Sequence, residues 1–166
     1  MAQEDKALLA RLHHRGVEFV LIGGVCGVMH GSGLLTVDLD VCCRFDPANL
    51  RRVESALCDL HPYHRLTPDK LPFVFTDELC LILKNLYLQT DLGKLDCLGD
   101  VLGVGDYEAA LKRSIGFNLS FGAIRMFDLE TLIASKDAAA REKDKYALPV
   151  LRALAEKKSQ CRKSQI

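Results

Sequence analysis

The tightest constraint on this chain is a short run of β-branched and aromatic residues, VEFVLI (17–22), that stops abruptly at Gly23-Gly24. A run of this kind bounded by glycine predicts a buried strand. The VCGVMHG that follows predicts a short helix leading into a loop, GSGLLT. VDLDVCCR (37–44) predicts a second strand, in which Asp alternates with apolar residues. Thirteen residues separate Gly24 from Asp38, which places the glycine turn and the second strand together at one edge of a sheet.

The remaining elements can be ordered around this pair. QEDKALLARLHH (3–14) has apolar positions at helical spacing, with Gly16 to close the helix. Asp46-Pro47 opens another helix over ANLRRVESALCDL, with Asp46 as N-cap and Pro47 at its first position. Prolines 62, 68 and 72 break up the stretch 61–85, where PFVFTD and LCLIL each read as a strand or a core segment. NLYLQT (85–90) and KLDCLG (94–99) form a hairpin about Asp91–Gly93. DVLGVG is a loop, DYEAALKRS a short helix, and GFNLSF with AIRMF a strand pair around Gly122. Asp128 caps a helix over DLETLIASKDAAA. KYALPVLRALAEKK is a last helix that kinks or restarts at Pro149, and the basic tail CRKSQI is frayed. This order predicts one α/β (α+β) domain over 1–166. Its core spans about 15–127, with a mixed sheet covered by helices mainly on one face, and its C-terminal helices lie at about 128–158.

Bulk properties exclude several classes. A chain of 166 residues is the size of one domain with a proper core. Lys plus Arg equals Asp plus Glu at 22 each, so no basic excess supports non-specific nucleic-acid or membrane binding. The seven cysteines include no C-x-x-C pair, and several sit in apolar runs, so they read as reduced core thiols rather than a zinc site. The N-terminus lacks an apolar signal segment, and no run is long enough to span a bilayer. The expected location is the cytoplasm.

The chemistry centres on Asp38 and Asp40. Two apart on a strand, they share a face at roughly 6.6 Å along the chain. Two carboxylates on one face of an apolar strand repel each other and cost desolvation energy, so a cation belongs between them. Hard oxygen ligands at this spacing suit Mg²⁺, which keeps waters and bridges to phosphates. By itself a D-x-D in a strand reads rather as a wet strand face, and a glycine turn as a turn without a ligand. Together they pair a carboxylate site with a strand-to-helix turn whose backbone N–H groups can approach a phosphate. Neither the G-x-G-x-x-G nor the G-x-x-x-x-G-K-[ST] fingerprint is present.

The segment IGGVCGVMHGSGLLTVDLDV resembles the signature of the nucleotidyltransferase superfamily with the DNA polymerase β-like palm. It is most similar to a bacterial branch with a motif of the form GG-x-A-x-x-x-H-G-x-x-R-x-T-x-D-[IL]-D, which includes toxin-type and antibiotic-modifying enzymes. Gly23, Gly24, His30, Gly31, Thr36, Asp38, Leu39 and Asp40 match, whereas Gly27 replaces an Ala-type residue and Leu34 replaces Arg. ASKDAAAREKD further resembles that branch's S-K-x-x-x-x-R-x-K-D helix. The resemblance implies a third carboxylate from a later strand. Asp96, flanked by Leu95 and Cys97, is the candidate, because Asp91 and Asp100 lie in turns where Asp is ordinary. It implies Asp38, Asp40 and Asp96 as catalytic residues and ligands of Mg²⁺ or Mn²⁺. Asp96 is also a candidate acceptor for the proton of an attacking hydroxyl.

Gly23, Gly24, Ser32, Thr36, Lys136 and Arg141 are the candidates for holding an NTP such as ATP. Lys136 interrupts an apolar patch and is placed to reach a triphosphate, with Asp144 as a group that holds Arg141 or Lys136. Lys143 reads as part of a solvated helix face and His30 as structural. For Tyr87, Phe73 and Phe75 core packing is favoured over stacking on a base.

The leading expectation is an Mg²⁺-dependent nucleotidyltransferase that moves an NMP group to an acceptor that is RNA, protein or a small molecule. The competing expectation is a non-catalytic nucleotide-binding or antitoxin-like partner module, motivated by the missing cation at Leu34. A chain this short also fits one half of a shared site, with a protein partner or a second copy supplying the acceptor pocket.

Overall fold

The structure, a computed structural model, describes residues 1–163, with the side chains of Cys80, Leu81, Arg162 and Lys163 outside the description. Seven strands form one mixed sheet: β1 (Phe19–Leu21), β2 (Asp38–Cys43), β3 (Tyr63–His64), β4 (Asn85–Thr90), β5 (Gly93–Leu98) and, after the small ribbon β6 (Asp100–Val101) and β7 (Gly105–Asp106), β8 (Ser114–Leu119) and β9 (Gly122–Phe127). The order across the sheet is β3-β4-β5-β2-β1-β9-β8. β2 runs parallel to β5 and antiparallel to β1, and β1 runs parallel to β9.

This is the mixed α/β architecture expected, with one correction. The glycine turn and the D-x-D strand lie at the centre of the sheet, not at its edge. Because β1 and β2 are antiparallel, the end of β1 and the start of β2 fall at the same end of the strands. The segment GSGLLT only has to return the chain to a neighbouring strand.

The centre of one sheet face is apolar: Leu39, Val41, Leu86, Leu88, Leu95 and Cys97 are all buried. Alternation then puts Asp38, Asp40, Asp96 and Tyr87 on the opposite face, since side chains of a strand point alternately to its two sides. Helices α1 (Gln3–His14) and α3 (Pro47–Leu57) pack together, and α3 is pinned to the ends of β1 and β2 by Asn49. Its amide accepts from Glu18 N at 2.8 Å and donates to the carbonyls of Glu18 and Arg44 at 3.0 and 2.9 Å. Asp46 caps α3 by accepting from Asn49 N at 2.8 Å, with Pro47 at the first position as the sequence predicts. Helix α2 (Gly23–His30) packs on β2 and on α6 (Leu129–Ala139), which is capped by Asp128 and packs in turn on α7 (Glu142–Lys163).

The stretch 61–85 departs from expectation. PFVFTD contributes one isolated bridge, Tyr63 to Pro72, and LCLIL lies in α4 (Asp77–Ile82), where Thr76 caps the first turn through Leu79 N. A cap three residues before a short apolar run signals a helix, and that local signal decides a run that its apolar composition leaves ambiguous. DVLGVG is no loop: it closes the β6–β7 ribbon before α5 (Tyr107–Lys112). α7 runs through Pro149 without a break. Pro149 is exposed, so the Lys145 carbonyl that it leaves unbonded can turn to water, while Ala147 and Leu151 are buried on either side.

Cys26, Cys42, Cys43 and Cys97 are buried free thiols, but Cys58 and Cys161 are exposed. For the expected frayed tail, residues 161–163 are helical and 164–166 lie outside the described residues. No helix among the described residues is long and apolar enough to cross a membrane.

Candidate active site

The D-x-D strand and the hairpin strand meet in a fixed register. Asp40 sits opposite Asp96 and Asp38 opposite Lys94 across the parallel β2/β5 pair, and Tyr87 is opposite Asp96 across β4/β5. Parallel neighbours lie about 4.8 Å apart, so the Asp40 and Asp96 carboxylates share one small patch. Burial pushes the Asp40 carboxyl up to about 6, and the charges of Asp96 and Asp38 add to the rise. Lys143 and the Gly24 N–H, which donates to this carboxylate, pull in the opposite direction. Burial likewise raises the Asp96 carboxyl from its ordinary value, offset in part by Arg65.

The glycines are required by this carboxylate. At Gly23, with φ of +65°, an added Cβ would lie 2.0 Å from Asp40 Oδ2, and at Gly24 one would lie 2.3 Å from Thr36 Oγ1. Neither position tolerates a side chain without moving its neighbour. The positive end of α2 therefore meets the Asp40 carboxylate first, through the Gly24 N–H.

The three carboxylates are not equally provided for. Arg65 Nη2 donates to both oxygens of Asp96, at 2.7 and 2.6 Å. Lys94 Nζ stands 3.3 Å from Asp38 Oδ1 but is not aligned to donate, and that buried oxygen has no hydrogen-bond partner. Among the described residues no three His, Cys, Asp or Glu side chains converge as a ready ligand set. An oxygen without a partner beside an Asp40 with a raised pKa is the donor chemistry that a hard divalent cation satisfies. Asp38 and Asp40 fit such an ion, whereas Asp96 is already neutralised.

A cavity of about 510 Å³ opens beside this patch. Gly23, Gly24, Ser32, Thr36, Asp40, Lys136 and Arg141 all line it, as do Lys143 and Asp144. The structure thus gathers residues from two ends of the chain in one concavity. Lys136 Nζ donates to Asp144 Oδ1 at 2.8 Å in a pair only 14% and 4% exposed at the two side chains. Leu34, Leu35, Leu98, Leu102 and Tyr146 supply an apolar wall.

No protein family model matches this chain, and no curated protein matches it. Among solved structures it is similar to JHP933 from Helicobacter pylori, with 19% identity and a TM-score of 0.44, over 81% of this chain and 53% of that one. It is also similar to an H. pylori protein provisionally described as a nucleotidyltransferase, with 18% identity and a TM-score of 0.44, over 82% and 59% of the two chains. The chain therefore spans somewhat more than half the length of the proteins it resembles.

His30 is structural, as the sequence suggests. Its Nε2 donates to the Phe127 carbonyl at 2.8 Å, and burial lowers its pKa. Phe73 is a core residue, and Phe75 packs against the core under Arg51. Tyr87 instead lines the cavity beneath Arg65, whose guanidinium carbon is 5.4 Å from the ring centre.

Three cations at the carboxylate patch are not among the site residues expected from the sequence. Lys143 reads from sequence as part of a solvated face, yet its charge acts on both Asp40 and Asp96. Lys94 could have been found, because it precedes Asp96 by two and so shares its strand face. Arg65 carries no local signal at all, lying in the proline-broken stretch.

Proposed function

We propose that this chain is an Mg²⁺-dependent nucleotidyltransferase that moves an NMP group from an NTP to an acceptor in RNA, protein or a small molecule. One observation carries the reading. A single cavity of small-ligand size joins the Gly23-Gly24 turn and Asp40 to the cations Lys136, Arg141 and Lys143. A phosphate chain needs cations and close backbone approach, and its metal needs carboxylates, and this cavity offers both.

Asp38 and Asp40 would hold the ion, which when bound neutralises charge on the phosphate oxygens. The chain's own residues account for the rest. The side-chain-free surface at Gly23-Gly24 lets a phosphate approach the backbone, with the hydroxyls of Ser32 and Thr36 as further donors. Lys136, fixed by Asp144, and the exposed Arg141 and Lys143 neutralise the triphosphate. The acceptor hydroxyl oxygen attacks the α-phosphorus and the bond to the β-phosphate oxygen breaks. Pyrophosphate leaves, and Asp96 accepts the hydroxyl proton. Catalysis of this type rests on positioning and charge neutralisation, with no covalent enzyme intermediate.

A second reading, a non-catalytic nucleotide-binding or antitoxin-like partner module, is favoured by two observations. No three-ligand acidic set converges among the described residues, and Leu34 offers no cation. Incubation with each α-³²P-NTP, Mg²⁺ and cellular RNA or protein fractions separates the two. Label transfer with pyrophosphate release is expected, falling by about 10²–10³-fold or more in Asp38→Asn and Asp40→Asn. Full transfer by both variants would overturn the metal-site assignment. Thermal stabilisation by an NTP without any transfer would favour the binding module.

A further inference from the structure

Arg65 is held more firmly than a surface arginine needs to be. Its backbone N–H donates to the Tyr87 carbonyl at 2.9 Å, and its guanidinium lies over the Tyr87 ring. One of its nitrogens contacts both Asp96 oxygens. Its side chain is 18% exposed and that of Asp96 10%. Asp96 therefore has a half-buried, permanently charged, pre-oriented partner. Lys94 is the opposite case: 43% exposed, on a flexible stem, and not hydrogen-bonded to the Asp38 oxygen it approaches.

We propose that Arg65 takes the place of a second metal ion at Asp96, so that the chain holds one divalent cation, between Asp38 and Asp40. The inference rests on the nucleotidyltransferase reading above and specifies how many ions that site takes. A divalent ion displaces Lys94 at little cost, because it supplies the bond that the Asp38 oxygen lacks. Displacing Arg65 would strip a buried carboxylate of its contacts and leave a guanidinium over Tyr87 without its anion, which is costly. Arg65 is thus a positioning residue. It keeps Asp96 oriented and out of the metal's coordination.

Mn²⁺ titration of the purified full chain, by calorimetry and by electron paramagnetic resonance, tests this. The expected result is one ion per chain. Binding should weaken by about 10-fold or more in Asp38→Asn and Asp40→Asn, while Asp96→Asn stays within about threefold of the parent. Arg65→Met should bind a second ion, and the Arg65→Met/Asp96→Asn double variant should return to one. If circular dichroism shows that Arg65→Met does not fold, Arg65→Lys replaces it, and the proposal then stands or falls on Asp96→Asn. Two ions on the parent chain, or an Asp96→Asn as weak as Asp40→Asn, would overturn the role of Arg65 while leaving the nucleotidyltransferase reading intact. No Mn²⁺ bound by any variant would overturn both.

Discussion

Two charged clusters, one between α6 and α7 and one on the sheet, meet at the cavity through Lys136, Asp144 and Asp40 and are balanced in different ways. On the helix side Lys136 and Asp144 cancel one for one, at hydrogen-bond distance and almost out of water. On the sheet side three carboxylates share a patch, of the three cations near them Arg65 is the one that hydrogen-bonds, and one buried oxygen is left without a hydrogen bond. A matched pair holds elements together: here it ties α6 to α7 across the exposed turn at Ala140 and Arg141. An unmatched excess of charge does not stabilise a fold, and it persists where something else satisfies it. The cavity thus has one wall built for rigidity and one built for a cation.

The comparison can be broken first at the matched pair. Lys136→Met leaves Asp144, 3% exposed, as an uncompensated buried charge, and should cost about 3–5 kcal/mol in urea unfolding. Lys136→Met/Asp144→Leu should recover most of that loss. A single-variant cost under about 1 kcal/mol would mean that the pair is not structural.

The unmatched side should behave in the opposite sense. Asp40 has its folded-state pKa raised to about 6 from 3.8. Its contribution to stability is therefore fully present below about pH 4 and lost as pH rises through about 6. In chelator-treated protein, Asp40→Asn should match the parent near pH 4 and exceed it by about 1–3 kcal/mol above pH 7. A difference that does not depend on pH would remove the argument from unmatched charge.

The smallest effect sharpens the packing between the two sides. An added Cβ at Gly27 would meet Ser32 Oγ, Leu151 Cδ2 and Leu132 Cδ2 at 3.5–3.8 Å, ordinary contact distances in a helix interior. Gly27→Ala should raise stability by about 0.5–1 kcal/mol, read as a higher urea midpoint at unchanged slope. Destabilisation would mean that α2, α6 and α7 pack more tightly than these distances indicate.

Most of the elements were legible because their signals are local. Asp46-Pro47 and Asp128 cap the helices they were expected to cap, and the strand pairs about Asp91–Gly93 and Gly122 form as read. The misreadings lie where local signals conflict. LCLIL reads as a strand or core segment but follows a Thr76 cap, and Pro149 lies within a helix whose flanking residues are buried. At the candidate site, Asp38, Asp40 and Asp96 could be picked out as carboxylates in apolar strands, and Lys136 as a charge in an apolar patch. Arg65 and Lys143 could not, because an arginine in a loop and a lysine on a helix face look alike wherever they end up.

The sequence alone determined most of the strands and helices and which strand carries the paired carboxylates, because those depend on periodicity, capping and turn chemistry within a few residues. The tertiary structure decided which charges meet. The parallel β2/β5 register sets Asp40 beside Asp96, the return of 61–75 to the sheet brings Arg65 to Asp96, and the packing of α6 and α7 fixes Lys136 on Asp144. The first two pairings join residues tens of positions apart and the third joins two helices across a turn. Their energies depend on burial and distance, which no short stretch of sequence encodes.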